Sequence, residues 1–383
     1  MTSRPETGAA RGARRAYIDW ARGIAVLLMI EAHTLDAWTR AADRRTAAFR
    51  DATILGGFAA PLFLWLAGVG LVLSAARAME REGGTRAAAT AMICRRGLEI
   101  FVLAFLFRLQ ALVVSPGGPL VALFRVDILN VMGPAIAAGG IIWGLAAAGS
   151  PKRSTARLVF AYGVAAAAMA MLTPVVRASP FVDRLPTWLG WYMRPAGQDT
   201  AFTMFPWAGF VFAGGACGAL ISAARGNGEE RRIQTWLGLA GAALIAAGFY
   251  AATLPPIYAH TSFWTSSPTY FAIRAGVMMV ALSTVHAAAR AAAGRGLALR
   301  PLERLGRSSL FVYWIHVELV YGYASWFWRG RLPLWATAIA YAAFSALMYG
   351  AVRLRDRWRE RWNARRGRGI TLHRKELSVR SAQ

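Results

Sequence analysis

The chain has 383 residues, 56% of them hydrophobic, and a mean hydropathy of +0.38. Those values exclude an ordinary soluble globule, because apolar runs of about 20 residues recur along it, each long enough to cross a hydrocarbon core. The formal charge of +25 would suit nucleic acid, but no nucleic-acid-binding motif accompanies it, so the class expected is a polytopic membrane protein with no nucleic-acid partner.

Ten spans are predicted, at roughly 17–36, 53–75, 95–114, 127–148, 157–176, 201–223, 235–253, 268–289, 308–327 and 333–352. The expected fold class is all-α: a membrane helical bundle of about ten helices, forming one transmembrane domain over 17–352. A basic N-terminal segment, 1–16, precedes it, and a basic tail, 353–383, follows. With the N-terminus inside, the cytoplasmic segments hold 31 Lys and Arg, counting Arg95, Arg96 and Arg157 at span mouths, and the external loops hold 10. This positive-inside bias puts both termini in the cytoplasm, and the expected location is the plasma (inner) membrane. The tail "RLRDRWRERWNARRGRG" can lie on anionic headgroups.

Links between spans are short and rich in Gly, Pro, Ser and Arg, as in "SPGGP" at 115–119 and "RGNGEE" at 225–230, which leaves no room for a soluble domain. The N-terminus, basic then apolar, has the order of a signal peptide. Its apolar stretch is long, charged and without a small-x-small cleavage site, so it reads as a retained first span. Cys94 and Cys217 form no metal-ligand spacing, and neither a zinc site nor a disulfide framework is expected.

The first span, "YIDWARGIAVLLMIEAHTLDAW", carries Asp19, Arg22, Glu31, His33 and Asp36. Each helical residue turns about 100°, so the eleven steps from Arg22 to His33 bring the two side chains to one face, about 16 Å apart. Asp36 lies about 60° from His33 and Asp19 about 60° from Arg22, so these four form one stripe, with Glu31 opposite. A charge at the bilayer centre costs roughly 2.5–3.5 kcal/mol on insertion scales, so such a stripe needs a polar cavity or internal pairing. Asp19–Arg22 and His33–Asp36 can be two structural pairs at the two interfaces. Alternatively the stripe lines a solvated tunnel, with Arg22 on the side of an anionic donor and His33 as a base further out.

The spacing Arg22-x10-His33 within "DWARGIAVLLMIEAH" resembles the first-helix signature of the acyltransferase type 3 family. The opening and the "RGIAVLLM" core also resemble the heparan-alpha-glucosaminide N-acetyltransferase family. Further stretches are similar in the same order: "GGFAAPLFLWLAGVGLVLS" at 56–74, "CRRGLEIFVLAFLFRL" at 94–109, "FTMFPWAGFVFAGGACGAL" at 202–220 and "LERLGRSSLFVYWIHVELVYG" at 302–322. The chain departs from the heparan type at His33, where that enzyme has Asn and keeps its active His in the loop after the first span. No His occurs here between residues 34 and 259.

The resemblance implies an integral-membrane acyltransferase. It would move an acyl group, usually acetyl, from cytoplasmic acyl-CoA, as co-substrate and with no metal, to a hydroxyl or amine of a glycan or other small acceptor. His33 and Arg22 match the motif residues, and Arg95 and Arg96 match an Arg pair where CoA phosphates would arrive. In such a reaction His33 takes the acceptor proton, with Asp36 able to hold the other ring nitrogen, or is itself acylated first. His316 is a second intramembrane His, either bonded within the bundle or binding acceptor. Asp127 and Asn130 can bind a sugar or cap a helix. Glu99 and Arg108 read as an ion-pair network, His286 as structural, and His260 as an external loop residue. A transporter using the charged stripe as a substrate or proton pathway is the rival reading, although no repeat symmetry supports it. The oligomeric state stays open.

Overall fold

In the computed structural model the described residues are 15–114 and 119–380, with backbone alone at 151 and 364–380. Most of the basic N-terminal segment, the Ser-Pro-Gly link at 115–118 and the last three residues of the tail lie outside them. Thirteen α-helices run among the described residues: α1 Ala16–Trp38, α2 Ala47–Gly56, α3 Ala59–Met79, α4 Arg86–Val114, α5 Ile128–Ala146, α6 Pro151–Ala178 and α7 Thr187–Met193. There follow α8 Met204–Ala223, α9 Asn227–Ala252, α10 Pro268–Gly294, α11 Arg300–Arg307, α12 Ser309–Tyr321 and α13 Leu334–Arg380. The protein is an all-α polytopic bundle, as a membrane interior requires of a backbone that must satisfy its own polar groups.

Eight stretches among the described residues are long and apolar enough to cross a membrane, the first formed by α2 with α3 and the others by α4, α5, α6, α8, α9, α10 and the first part of α13. Charge keeps α1, and length keeps α12, out of that group. The second expected span is not one helix. It breaks at Gly57–Phe58, where α2 crosses α1 so closely that a methyl on Gly56 would overlap the Glu31 carboxylate. The ninth ends early, at Tyr321. The basic tail is helical over its described part, since α13 continues to Arg380.

Two kinds of helix make up the bundle. The inner ones, α3, α5 and α8, bury most of their length, and Leu64, Trp65, Val69, Phe210, Val211 and Ile221 are almost wholly inaccessible. Helices α3 and α8 touch through glycines, since a methyl at Gly68 would overlap the Val211 carbonyl and one at Gly214 the Trp65 carbonyl. Such small-residue contact is how membrane helices pack without a hydrophobic drive between them. The outer helices expose apolar stripes, such as Leu98, Val102, Leu106, Leu109 and Val113 on α4, spaced three and four apart so that one face meets lipid.

Helix α1 threads the middle, against α2, α3, α10, α11, α12 and α13. Gly23 and Gly306 let α11 lie directly on it, each abutting a backbone carbonyl of the other helix. Its far end is clamped by the segment before α13: Gly330 and Leu332 donate backbone bonds to Ala37 and Trp38 (2.9 Å each), and Arg40 donates one back to Leu332 (2.9 Å). Asp43 then accepts the Leu334 amide at 2.7 Å, capping the start of α13 from outside its own chain segment.

Candidate active site

A cavity of about 1470 Å³ runs beside α1 and takes in Arg22, His33, Arg95, Arg96, Asp127 and Glu318. Pockets for single small molecules span roughly 300–1,000 Å³, so this one has room for two substrates. Of the four stripe residues on α1, Arg22 and His33 therefore line the cavity, while Asp19 and Asp36 lie outside its lining.

At the Arg22 end the charges are paired. Asp19, 2% exposed, lies 3.6 Å from Arg22 and 3.4 Å from Arg307, and Arg307 also meets Glu303. Gly70 on α3 leaves room for the Arg22 guanidinium, which a methyl there would approach to 2.8 Å. Arg95 and Arg96 share Glu99, at 3.2 Å each, and remain largely exposed. Four arginines thus converge on one mouth, held by three carboxylates.

At the other end His33 does not meet the group expected to hold it. Asp36 is exposed and takes the Tyr321 hydroxyl at 2.9 Å. Tyr321, at the end of α12, in turn packs edge-to-face with the His33 ring, centroids 5.5 Å apart. The Nδ1 of His33 instead lies 2.8 Å from Nε2 of His316, in rings 4° from parallel. His316 is completely buried, and its own Nδ1 lies 2.8 Å from the Val312 carbonyl.

That chain of contacts assigns tautomers. A carbonyl only accepts, so His316 Nδ1 carries the proton and its Nε2, in the neutral ring, holds a lone pair. His33 Nδ1 must then donate to it, and the neutral His33 ring holds its lone pair on Nε2. No partner occupies that nitrogen among the described residues, and His33 lines the cavity. The arrangement presents a correctly oriented base to whatever enters.

The remaining sequence candidates divide. Asp127 and Asn130 form a capping box at the start of α5: Asp127 accepts the Leu129 amide (3.0 Å) and Asn130 the Asp127 amide (3.1 Å). The cap accounts for both residues, although Asp127, 5% exposed, also pairs with Arg108 at 3.3 Å and reaches the cavity. Asn130 Nδ2 donates to the Tyr192 hydroxyl at 3.3 Å. His286 packs edge-on against Tyr17, centroids 5.0 Å apart, away from the cavity. Arg307, Tyr321 and Arg274 are among the cavity residues that escaped the sequence reading. An arginine well inside an apolar span, as Arg274 is, was the available signal.

Comparison with known families adds two findings. A profile of the family described as heparan-alpha-glucosaminide N-acetyltransferase, catalytic, matches residues 14–250, which include His33, Arg22, Arg95 and Arg96. A profile described as OpgC protein matches residues 164–360, which include His316. No curated protein matches the chain.

Proposed function

The chain belongs to the heparan-alpha-glucosaminide N-acetyltransferase catalytic family, and from that premise we propose that this membrane acyltransferase moves an acyl group, acetyl by family default, from cytoplasmic acyl-CoA to a hydroxyl or amine of a glycan-like acceptor. In this reading α1 and α12 also span the plasma membrane, giving ten spans with both termini cytoplasmic. The Arg22 end is then the inner mouth. Membership of an acyltransferase family weighs against the transporter reading.

The observation that carries the proposal is the relay Val312 carbonyl, His316, His33, ending in a free Nε2 inside a two-substrate cavity. Arg95, Arg96, Arg22 and Arg307 offer a basic mouth for the CoA phosphates. The acceptor hydroxyl or amine attacks the thioester carbonyl carbon and loses its proton to His33 Nε2. The carbon–sulfur bond then breaks, and the departing thiolate takes that proton from His33 to leave as CoA thiol. His316 is a positioning residue: its lone pair keeps the Nδ1 proton of His33 in place and shares the charge while the ring is protonated. Asp36 acts one step further out, holding Tyr321 against the ring.

The test is CoA release from acetyl-CoA by purified protein in detergent, with a panel of amino sugars and glycans. Wild type should turn over in an acceptor-dependent way, and His33→Ala should lose about 10²–10⁴-fold in kcat. His316→Gln, whose amide oxygen can accept from His33, should keep more activity than His316→Phe, and the pH–rate profile should move in the Phe variant. Undiminished turnover in His33→Ala would sink the base assignment. No turnover with any acceptor would sink the reading as a whole.

A further inference from the structure

Six arginines line the cavity: Arg22, Arg95, Arg96, Arg108, Arg274 and Arg307. Five of them have a carboxylate within 3.6 Å, supplied by Asp19, Glu99, Asp127 or Glu303. Arg274 has none within ion-pair distance among the described residues. Its Nε is buried without a hydrogen-bond partner. Its guanidinium lies instead among aromatic rings, 4.3 Å from the centre of Tyr270 and 5.6 Å from that of Trp207.

The position is as telling as the missing counterion. Arg274 is six residues into α10 and His33 five from the end of α1, so with the helices antiparallel the two sit at similar depth, about 9 and 8 Å from the same face. They are connected laterally through the glycine break between α2 and α3. A methyl on Gly57 would lie 3.6 Å from Arg274 Nη2, and one on Gly56 would press on Ala32, the neighbour of His33.

A guanidinium cannot discharge itself by losing its proton. Ring faces stabilise it, but far less than an anion would where water is scarce. Tyr270, which also offers its side chain as a hydrogen-bond partner, and Trp207 pack the planar fork while Nε stays without a partner, a state that suits a carboxylate, sulfate or phosphate receptor.

We infer that Arg274 is an anion-recognition site for the acceptor, so that the preferred acceptor carries an acidic substituent beside the hydroxyl or amine it presents to His33. The inference rests on the acyltransferase reading for its word "acceptor" but not for the anion site itself. The acceptor is the substrate concerned because the CoA phosphates have a separate basic mouth about 16 Å away along α1. An acetyl group carries no charge to this end.

The test pairs neutral and anionic acceptors in wild type and in Arg274→Gln and Arg274→Lys, each checked for monodispersity in detergent. Glucosamine is compared with glucosamine 6-phosphate, glucosamine 6-sulfate and the carboxylate-bearing muramic acid, using acetyl-CoA and, separately, succinyl-CoA. Wild type should favour at least one anionic acceptor by about tenfold or more in kcat/KM, chiefly through KM. That ratio should fall towards one in Arg274→Gln and stay above one in Arg274→Lys. Equal use of neutral and anionic acceptors by wild type overturns the inference. So does an Arg274-dependent preference for succinyl-CoA with neutral acceptors, which would assign the arginine to the acyl chain. If nothing turns over, the thermal shift given by the same anionic probes is decisive. A shift that Arg274→Gln abolishes keeps the anion site while the acyltransferase reading falls, and no shift removes both.

Discussion

Near the start of α1 the cavity is lined by four arginines that are all tied to carboxylates of the protein itself, Asp19, Glu99 and Glu303. Away from that mouth the cavity also holds the Arg108–Asp127 ion pair, but near the end of α1 the distinguishing feature is an open position: His33 Nε2 and Arg274 Nε have no partner among the described residues. Both regions concentrate polar groups inside an apolar bundle, yet the first pairs each arginine with a carboxylate while staying net basic, and the second leaves valences free. An internally paired arginine cluster can stand stably at an interface and exchange partners when a polyanion arrives. Free valences at depth are tolerable only where a ligand completes them.

The contrast can be broken from either side. The largest effect should come from the open end, where His33→Ala removes the lone pair and with it about 10²–10⁴ in kcat, leaving the KM for donor nearly unchanged, as separate variation of the two substrates would show. The Arg274→Gln loss of acceptor discrimination, about tenfold, comes next and should appear at that end alone. At the paired end, Asp19→Asn removes a buried carboxylate shared by Arg22 and Arg307. Because those guanidiniums are 32% and 46% exposed, the destabilisation should be about 1–2 kcal/mol rather than the larger loss of a fully buried pair. It would be read as a lower Tm in detergent, and an unchanged Tm would mean the pairing is only apparent. Arg95→Ala with Arg96→Ala should raise the donor KM by about three- to tenfold at low salt and by less at high salt, because exposed charges act through a screened field.

The smallest effect lies outside the cavity, at the clamp on the far end of α1. The Leu334 amide, and then Arg40, hold the Asp43 carboxyl below the usual carboxylate range. A depressed folded-state pKa contributes stability above the unfolded value and loses it as pH falls through the folded one. The Tm difference between wild type and Asp43→Asn should therefore be present at neutral pH and shrink in strong acid. A difference that grows on acidification would show that the cap does not act through its charge.

Much of the architecture was readable before any coordinates. Apolar length is a local property, so the order of most spans followed from composition. The α1 stripe was readable for the same reason, since 100° per residue brings Arg22 and His33 to one face whatever surrounds them. The Asp127–Asn130 box was equally local, a contact over three residues, and sequence could describe both its readings.

The partner of His33 could not be read that way. Asp36 is three residues away and was the natural candidate, whereas His316 is 283 positions on, and nothing in either segment specifies the other. The same holds for the helix break at Gly57, which depends on how closely α2 must approach α1, and for Arg307, which meets Asp19 only because Gly23 and Gly306 let α11 lie on α1. By itself the sequence determined an apolar all-α bundle with a charged stripe on its first helix. Tertiary structure decided which valences on that stripe are satisfied and which are left for a ligand, because pairing is a property of distance in space and a chain states only distance along itself.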